Sequence, residues 1–166
     1  MQKFTSSATS INRSKLPAVY GKTTFTAPFV LDYGCGKYID HIRKHITEQG
    51  HELFPYDPYN QPKHVNNATI DRIIHCFANR IPLDVVCSNV LNVIDDDAVV
   101  YGIADQIQTI VDGTHGTAYI TVYEGDRSGV GRQTGDDQYQ RNEPLRNYLK
   151  YFRNGTIKHG MIVVGQ

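Results

Sequence analysis

A chain of 166 residues, 40% of them hydrophobic, is long and apolar enough to bury the core of one domain, which argues against disorder throughout. Lysine plus arginine and aspartate plus glutamate number 17 each, so no net field draws in a polyanion and nucleic-acid binding would need a local basic patch. The three cysteines, Cys35, Cys76 and Cys87, form no CxxC pair, which argues against a disulfide framework and a zinc site, and no apolar run approaches the roughly 20 residues of a membrane span. Residues 1–23 read as a polar N-terminal arm and 24–166 as the folded domain. The arm superficially resembles a transit peptide, but Arg13 is its single arginine and it has no apolar helical face, so the expected location is cytoplasmic.

Along the chain, 24–31 (TFTAPFVL) reads as a buried strand that ends at the turn Asp32-Tyr33-Gly34-Cys35-Gly36-Lys37. Residues 39–49 place Ile39, Ile42 and Ile46 at helical spacing, with Gly50 as terminator. A second strand at 51–56 ends at Asp57-Pro58. A helix over 67–80 turns Ile70, Ile73, Ile74 and Phe77 to one face. The apolar 83–87 (LDVVC) reads as a parallel-sheet strand, and Asp95-Asp96-Asp97 opens a helix running to about Val111. A strand at 117–123, a glycine-rich loop at 128–142, a helix at 144–152 and a last strand at 157–164 complete the pattern. Alternating strands and helices predict an α/β, Rossmann-like, doubly wound, mostly parallel sheet with helices on both faces. Ligands of such sheets lie outside the carboxyl ends of the strands.

Gly34 and Gly36 permit close backbone approach or positive φ, and their amides could cradle a carboxylate or a ribose. A dinucleotide fingerprint wants a third small residue where this chain has Ile39. Asp32 would repel a pyrophosphate yet suit an α-ammonium group, and Asp57 stands where both ribose hydroxyls can be accepted. A ribose, a cationic amino-acid tail and no phosphate together describe S-adenosylmethionine (SAM) or its demethylated product.

With those residues the chain resembles the class I SAM-dependent methyltransferases. Asp32-Tyr33-Gly34-Cys35-Gly36 is similar to their first motif, Tyr56-Asp57-Pro58 to their second acidic position, and 84–94 (DVVCSNVLNVI) to their fourth-strand motif. A narrower resemblance joins the arm at Thr9–Pro17, the DYGCGK turn, the YDPY step and SNVLNVIDD to methyltransferase-like proteins of bacteriophages and of DNA phosphorothioation operons. The resemblance implies a SAM-dependent methyltransferase of a bacterial host cell. It implies SAM held by Asp32, Tyr33, Gly34, Cys35, Gly36, Asp57, Pro58, Asn89, Val90 and Leu91, with nucleic acid as one acceptor class. Two departures stand out. No third strand lies between Asp57 and Leu83, which removes the family's acidic adenine contact, and Asp71 sits on a helix instead. Ser88-Asn89-Val90-Leu91 also replaces the Asn/Asp-Pro-Pro-aromatic motif of amino-group methyltransferases, which leaves the target atom open.

Methyl transfer from a sulfonium depends mainly on positioning the nucleophile in line. Asn89 and Asn92 are the candidates to orient an acceptor, although Asn92 would equally cap the following helix. Tyr123, Arg127 and Arg132, with Tyr139, are candidates to stack a base and contact phosphate, and 128–142 to form a lid. Arg13 and Lys15 either fold over the SAM site or belong to a flexible tail. The competing reading is a SAM-binding module without catalysis: a sensor, an inhibitor or a subunit of a larger enzyme. A nucleotide-dependent oxidoreductase ranks below both.

Overall fold

A computed structural model describes residues 13–165; most of the arm, including the Thr9–Asn12 part of the narrower motif, lies outside them. The first strand is β1 (Phe29–Tyr33), later than its apolar run suggests. The preceding residues do not enter the ladder, because the Thr26 and Ala27 amides donate to the buried Asp84 carboxylate at 3.0 and 3.1 Å. Asp32 and Tyr33 therefore belong to the strand. The chain continues through α2 (Asp40–Glu48), β2 (Glu52–Tyr56), α3 (Lys63–Asn79), β3 (Leu83–Ser88), a 3-10 turn at Leu91–Val93, α4 (Asp97–Thr114) and β4 (Ala118–Thr121). Ahead of β1, the arm folds into a short helix, α1 (Ala18–Lys22), whose Val19 and Tyr20 are buried. These residues are part of the packed domain and no flexible tail.

Four expectations are corrected. The 67–80 helix begins at Lys63 and buries Asn66, Thr69 and Cys76, while Ile70 and Ile74 are exposed. The inward face is set by hydrogen bonding as well as apolarity: Thr69 donates to the Pro55 carbonyl, and Asn66 grips the backbone of Asp57. The 128–142 loop contains a hairpin, β5 (Arg132–Gly135) and β6 (Gln138–Gln140). Its strands show no apolar alternation for a sequence to betray. Residues 144–152 form a 3-10 helix at Leu145–Tyr151. The last strand is a hairpin, β7 (Thr156–Lys158) and β8 (Met161–Val164), because His159 and Gly160 both adopt positive φ and reverse the chain.

The six-stranded sheet has the order β2-β1-β3-β4-β8-β7. Strands β2, β1, β3 and β4 are parallel, whereas β8 runs antiparallel to both β4 and β7. The sheet is thus mixed, with the antiparallel hairpin at one edge. On one face Val30, Leu53 and Val86 pack with α1 and with Ile42 and Ile46 of α2. On the other, Leu31, Phe54, Val85 and Cys87 pack with Cys76 of α3, with Val100, Ala104 and Ile107 of α4, and with Tyr148. From β1 the chain moves to β2 on one side, then returns past β1 to β3 on the other. The neighbouring carboxyl ends of β1 and β3 are therefore a topological switch point, where open α/β sheets form their ligand crevice.

Candidate functional site

A cavity of about 510 Å³ opens at that switch point. The size lies within the range typical of small-ligand sites. Asp32, the Gly34–Gly36 turn, Asp57, Pro58, Asn89 and Val90 all line it, so these residues, far apart in sequence, converge on one cavity. Gly34 (φ +82°) and Gly36 (φ +73°) adopt the left-handed conformation that favours glycine. At Gly34 there is no room for a side chain, since a Cβ would lie 2.3 Å from Val90 Cγ2.

The turn's amides are engaged within the protein. Gly34 N and Cys35 N donate to the Tyr56 carbonyl at 2.8 and 3.2 Å, and Gly36 N donates to Asp57 Oδ2 at 2.9 Å. Gln61 Nε2 donates back to the Gly36 carbonyl at 2.6 Å. The expected amide cradle is therefore a bracket tying the glycine turn to the end of β2. Asp57 is held in turn by Asn66, whose Oδ1 accepts from Asp57 N and whose Nδ2 donates to Asp57 O, both at 2.9 Å.

Asp32 is 3% exposed, and its Oδ2 accepts a 2.6 Å hydrogen bond from Tyr20 Oη. Burial raises its carboxyl to about 7; the Tyr20 bond opposes this and the nearby Asp57 charge adds to it. Burial also pushes the Cys35 and Cys87 thiols well above their ordinary value. Burial thus favours the protonated form of both thiols.

Two expected site residues, Leu91 and Asn92, are placed differently. Leu91 is fully buried in the core below the cavity and does not line it. Asn92 is buried and donates to Gln140 Oε1 at 3.1 Å, while the cap of α4 is Asp96, which accepts from Ala98 N at 2.8 Å. Asn92 thus ties the 3-10 turn to β6 and neither caps the helix nor faces the cavity. Lys15, a candidate to fold over the glycine-turn site or to contact the acceptor, lines the main cavity, and the Arg13 guanidinium lies 5.3 Å over the ring of Tyr38, another lining residue. Asn89 has φ +58°, and its amide donates to Thr121 O, a conformation asparagine tolerates well.

A second cavity, of about 430 Å³, is lined by Tyr123, Asp126, Arg132, Thr134 and Tyr139, and Val93 lines both cavities. Tyr123 and Arg132 thus meet as expected. Arg127 does not line this cavity and pairs with Glu124. Sequence reasoning missed His41, Tyr59, Asn60 and Val93 in the main cavity. Two of them carry buried polar atoms without a partner, His41 Nδ1 and Asn60 Oδ1. Only folding places these two atoms against the crevice, so no sequence signal marks them.

Among the described residues no group of three or more histidine, cysteine or acidic side chains is placed to hold a metal ion, and no helix is long and apolar enough to cross a membrane. The fold and site define an α/β domain with a mostly parallel six-stranded sheet and a crevice at its switch point. Comparisons with family models, curated proteins and solved structures find no match to the chain.

Proposed function

We propose that the chain is a SAM-dependent methyltransferase of the class I type, lacking the strand that would lie beyond β2, and that the switch-point cavity holds SAM. One observation carries this reading. The amides of Gly34, Cys35 and Gly36 are all engaged by the end of β2, and the buried Asp32 lies on the same cavity wall. A pyrophosphate needs free amides and no buried acid in this place; a nucleoside with a cationic tail needs none of those three amides and gains from the acid. The unpartnered His41 Nδ1, on a residue of the cavity wall, fits a ligand that carries a hydrogen-bonding group.

In this reading Asp32 faces the ammonium group, Lys15 supplies positive charge for the carboxylate, and the turn at Asp57–Asn60 meets the ribose. Bound SAM supplies an electrophilic methyl group on a sulfonium. The acceptor enters from the second cavity, with Val93 as the shared wall and Tyr123 and Tyr139 to position a planar group. Nucleic acid is one acceptor class. The whole chain supplies no net positive field to attract it, so a short single-stranded segment fits better than a long duplex.

Isothermal titration with SAM tests the cofactor: saturable binding is expected, and none at millimolar SAM sinks the proposal. Incubation with methyl-tritiated SAM and a panel of DNA, RNA and protein then tests the reaction. Label in an acceptor establishes transfer. SAM binding with no label in any acceptor favours the non-catalytic module.

A further inference from the structure

The hydrogen bonds around Asp57 pose a problem for a ribose. Oδ1 accepts from the Tyr59 and Asn60 amides at 3.0 Å each, and Oδ2 accepts from Gly36 N at 2.9 Å. The Asn60 side chain then bridges the carboxylate, its Nδ2 lying 3.1 Å from both Oδ1 and Oδ2. Two carboxylate oxygens offer about four acceptor sites, so little remains for a further donor. The three backbone donors are fixed by the fold. Asn60 Nδ2 is the one side-chain donor on this carboxylate among the described residues, and a rotation about its own side-chain bonds can remove it.

The other end of the same amide is unsatisfied: Asn60 Oδ1 is buried without a partner at the wall of the main cavity. Exchanging its N and O offers no relief, because the oxygen would then face a carboxylate. A buried polar group left in that state calls for an explanation. A donor spanning both oxygens of a carboxylate, on the cavity wall, has the hydrogen-bonding pattern of a vicinal diol.

We propose that Asn60 is a built-in competitor for the nucleoside's ribose: in the ligand-free protein its amide holds the place of the 2′- and 3′-hydroxyls on Asp57, and the diol displaces it. Once displaced, the Asn60 amide turns toward water, where Oδ1 gains the hydrogen bond it lacks. Asn60 is then a specificity-determining position, because a ligand without both hydroxyls cannot replace both contacts. The inference rests on the SAM reading of the cavity.

The test titrates SAM, adenosine and 2′-deoxyadenosine into wild type and Asn60→Ala, with thermal melting to verify folding. Removing the competitor should tighten SAM and adenosine binding about tenfold, the lower end of one charge-assisted hydrogen bond, and change 2′-deoxyadenosine binding less than about twofold. Asn60→Ser, too short to bridge both oxygens, carries the same expectation and serves if the alanine variant does not fold. Wild-type binding of SAM that is unchanged or weakened in the folded variants overturns the role of Asn60 alone. Absence of SAM and adenosine binding in wild type and variants overturns the cavity reading, and this inference with it.

Discussion

Asp32 gives the cavity a measurable signature even without ligand. Its carboxyl is carried from an ordinary value of 3.8 to about 7, chiefly by burial. At about 1.4 kcal/mol for each factor of ten in the ionisation equilibrium, that displacement is worth roughly 4 kcal/mol. Far below 3.8 both the folded and the unfolded chain carry the proton. Between 3.8 and about 7 the unfolded chain releases it while the folded chain keeps it, so stability falls as pH rises. Above about 7 both forms are ionised and the loss is complete. Asp32→Asn is nearly isosteric, cannot ionise and can still accept from Tyr20, so it isolates this effect. Urea denaturation of the ligand-free proteins should show the stability advantage of Asp32→Asn growing by roughly 3 kcal/mol between about pH 4.5 and pH 8, then levelling. Tyr20→Phe removes the hydrogen bond that favours the carboxylate and should move the same window to higher pH. If the cofactor's ammonium group needs the ionised acid, SAM affinity should weaken about tenfold per pH unit below the Asp32 transition. An Asp32→Asn advantage that stays constant across the range refutes the placement of Asp32 as a buried acid whose ionisation is shifted upward by folding.

Two further substitutions probe the framework behind the cavity. Asp84→Ala leaves the amides of Thr26, Ala27 and Thr117 without their buried acceptor, so urea denaturation should show a loss of about 3–5 kcal/mol; a loss below about 1 kcal/mol contradicts the staple assigned to this carboxylate. Gly34→Ala should destabilise by about 1–3 kcal/mol and weaken SAM binding, from a clash with Val90 and a left-handed φ together. Adding Val90→Ala relieves the clash alone, so partial recovery of stability is expected in a denaturation series, and no recovery would locate the whole penalty in the backbone.

What the sequence reveals of this site depends on how far apart its partners lie. The β1–turn–α2–β2 unit is legible because an apolar run, two glycines and an amphipathic helix stand next to one another, and Asp57 follows at the next strand end. The parallel strand β3 is equally plain from LDVVC. The role of the glycine amides is not legible, because Tyr56 and Asp57 reach them only across the paired strands. Val90 and Leu91 are adjacent and equally apolar, yet the 3-10 turn points one into the cavity and the other into the core. The same long-range dependence hides Asn92, whose partner Gln140 is 48 residues away. The two hairpins escape for different reasons: β5–β6 is too polar to show a period, and β7–β8 has the pattern of a single strand until His159 and Gly160 turn it.

The end of the sheet at β2 bears directly on how the cavity is walled. Pro55 sits in the middle of this edge strand, where it has no N–H to offer, and its carbonyl accepts from Thr69 Oγ1 at 2.7 Å. Proline at such a position is a recognised protection of an exposed edge, so the strand is suited to remain outermost. Among the described residues no strand lies beyond β2, so under the proposed reading no strand-borne acid reaches the base of a nucleoside on this side. The wall there is instead the short turn Pro58-Tyr59-Asn60. That turn is cross-linked to the glycine turn twice, through Asp57 to Gly36 N and through Gln61 to Gly36 O. A ligand that displaces Asn60 therefore alters the hydrogen bonding of an element fastened to both halves of the crevice. Under the proposed SAM reading, one short turn would both meet the nucleoside and brace the glycine turn, and Asn66 from α3 anchors Asp57 at its base.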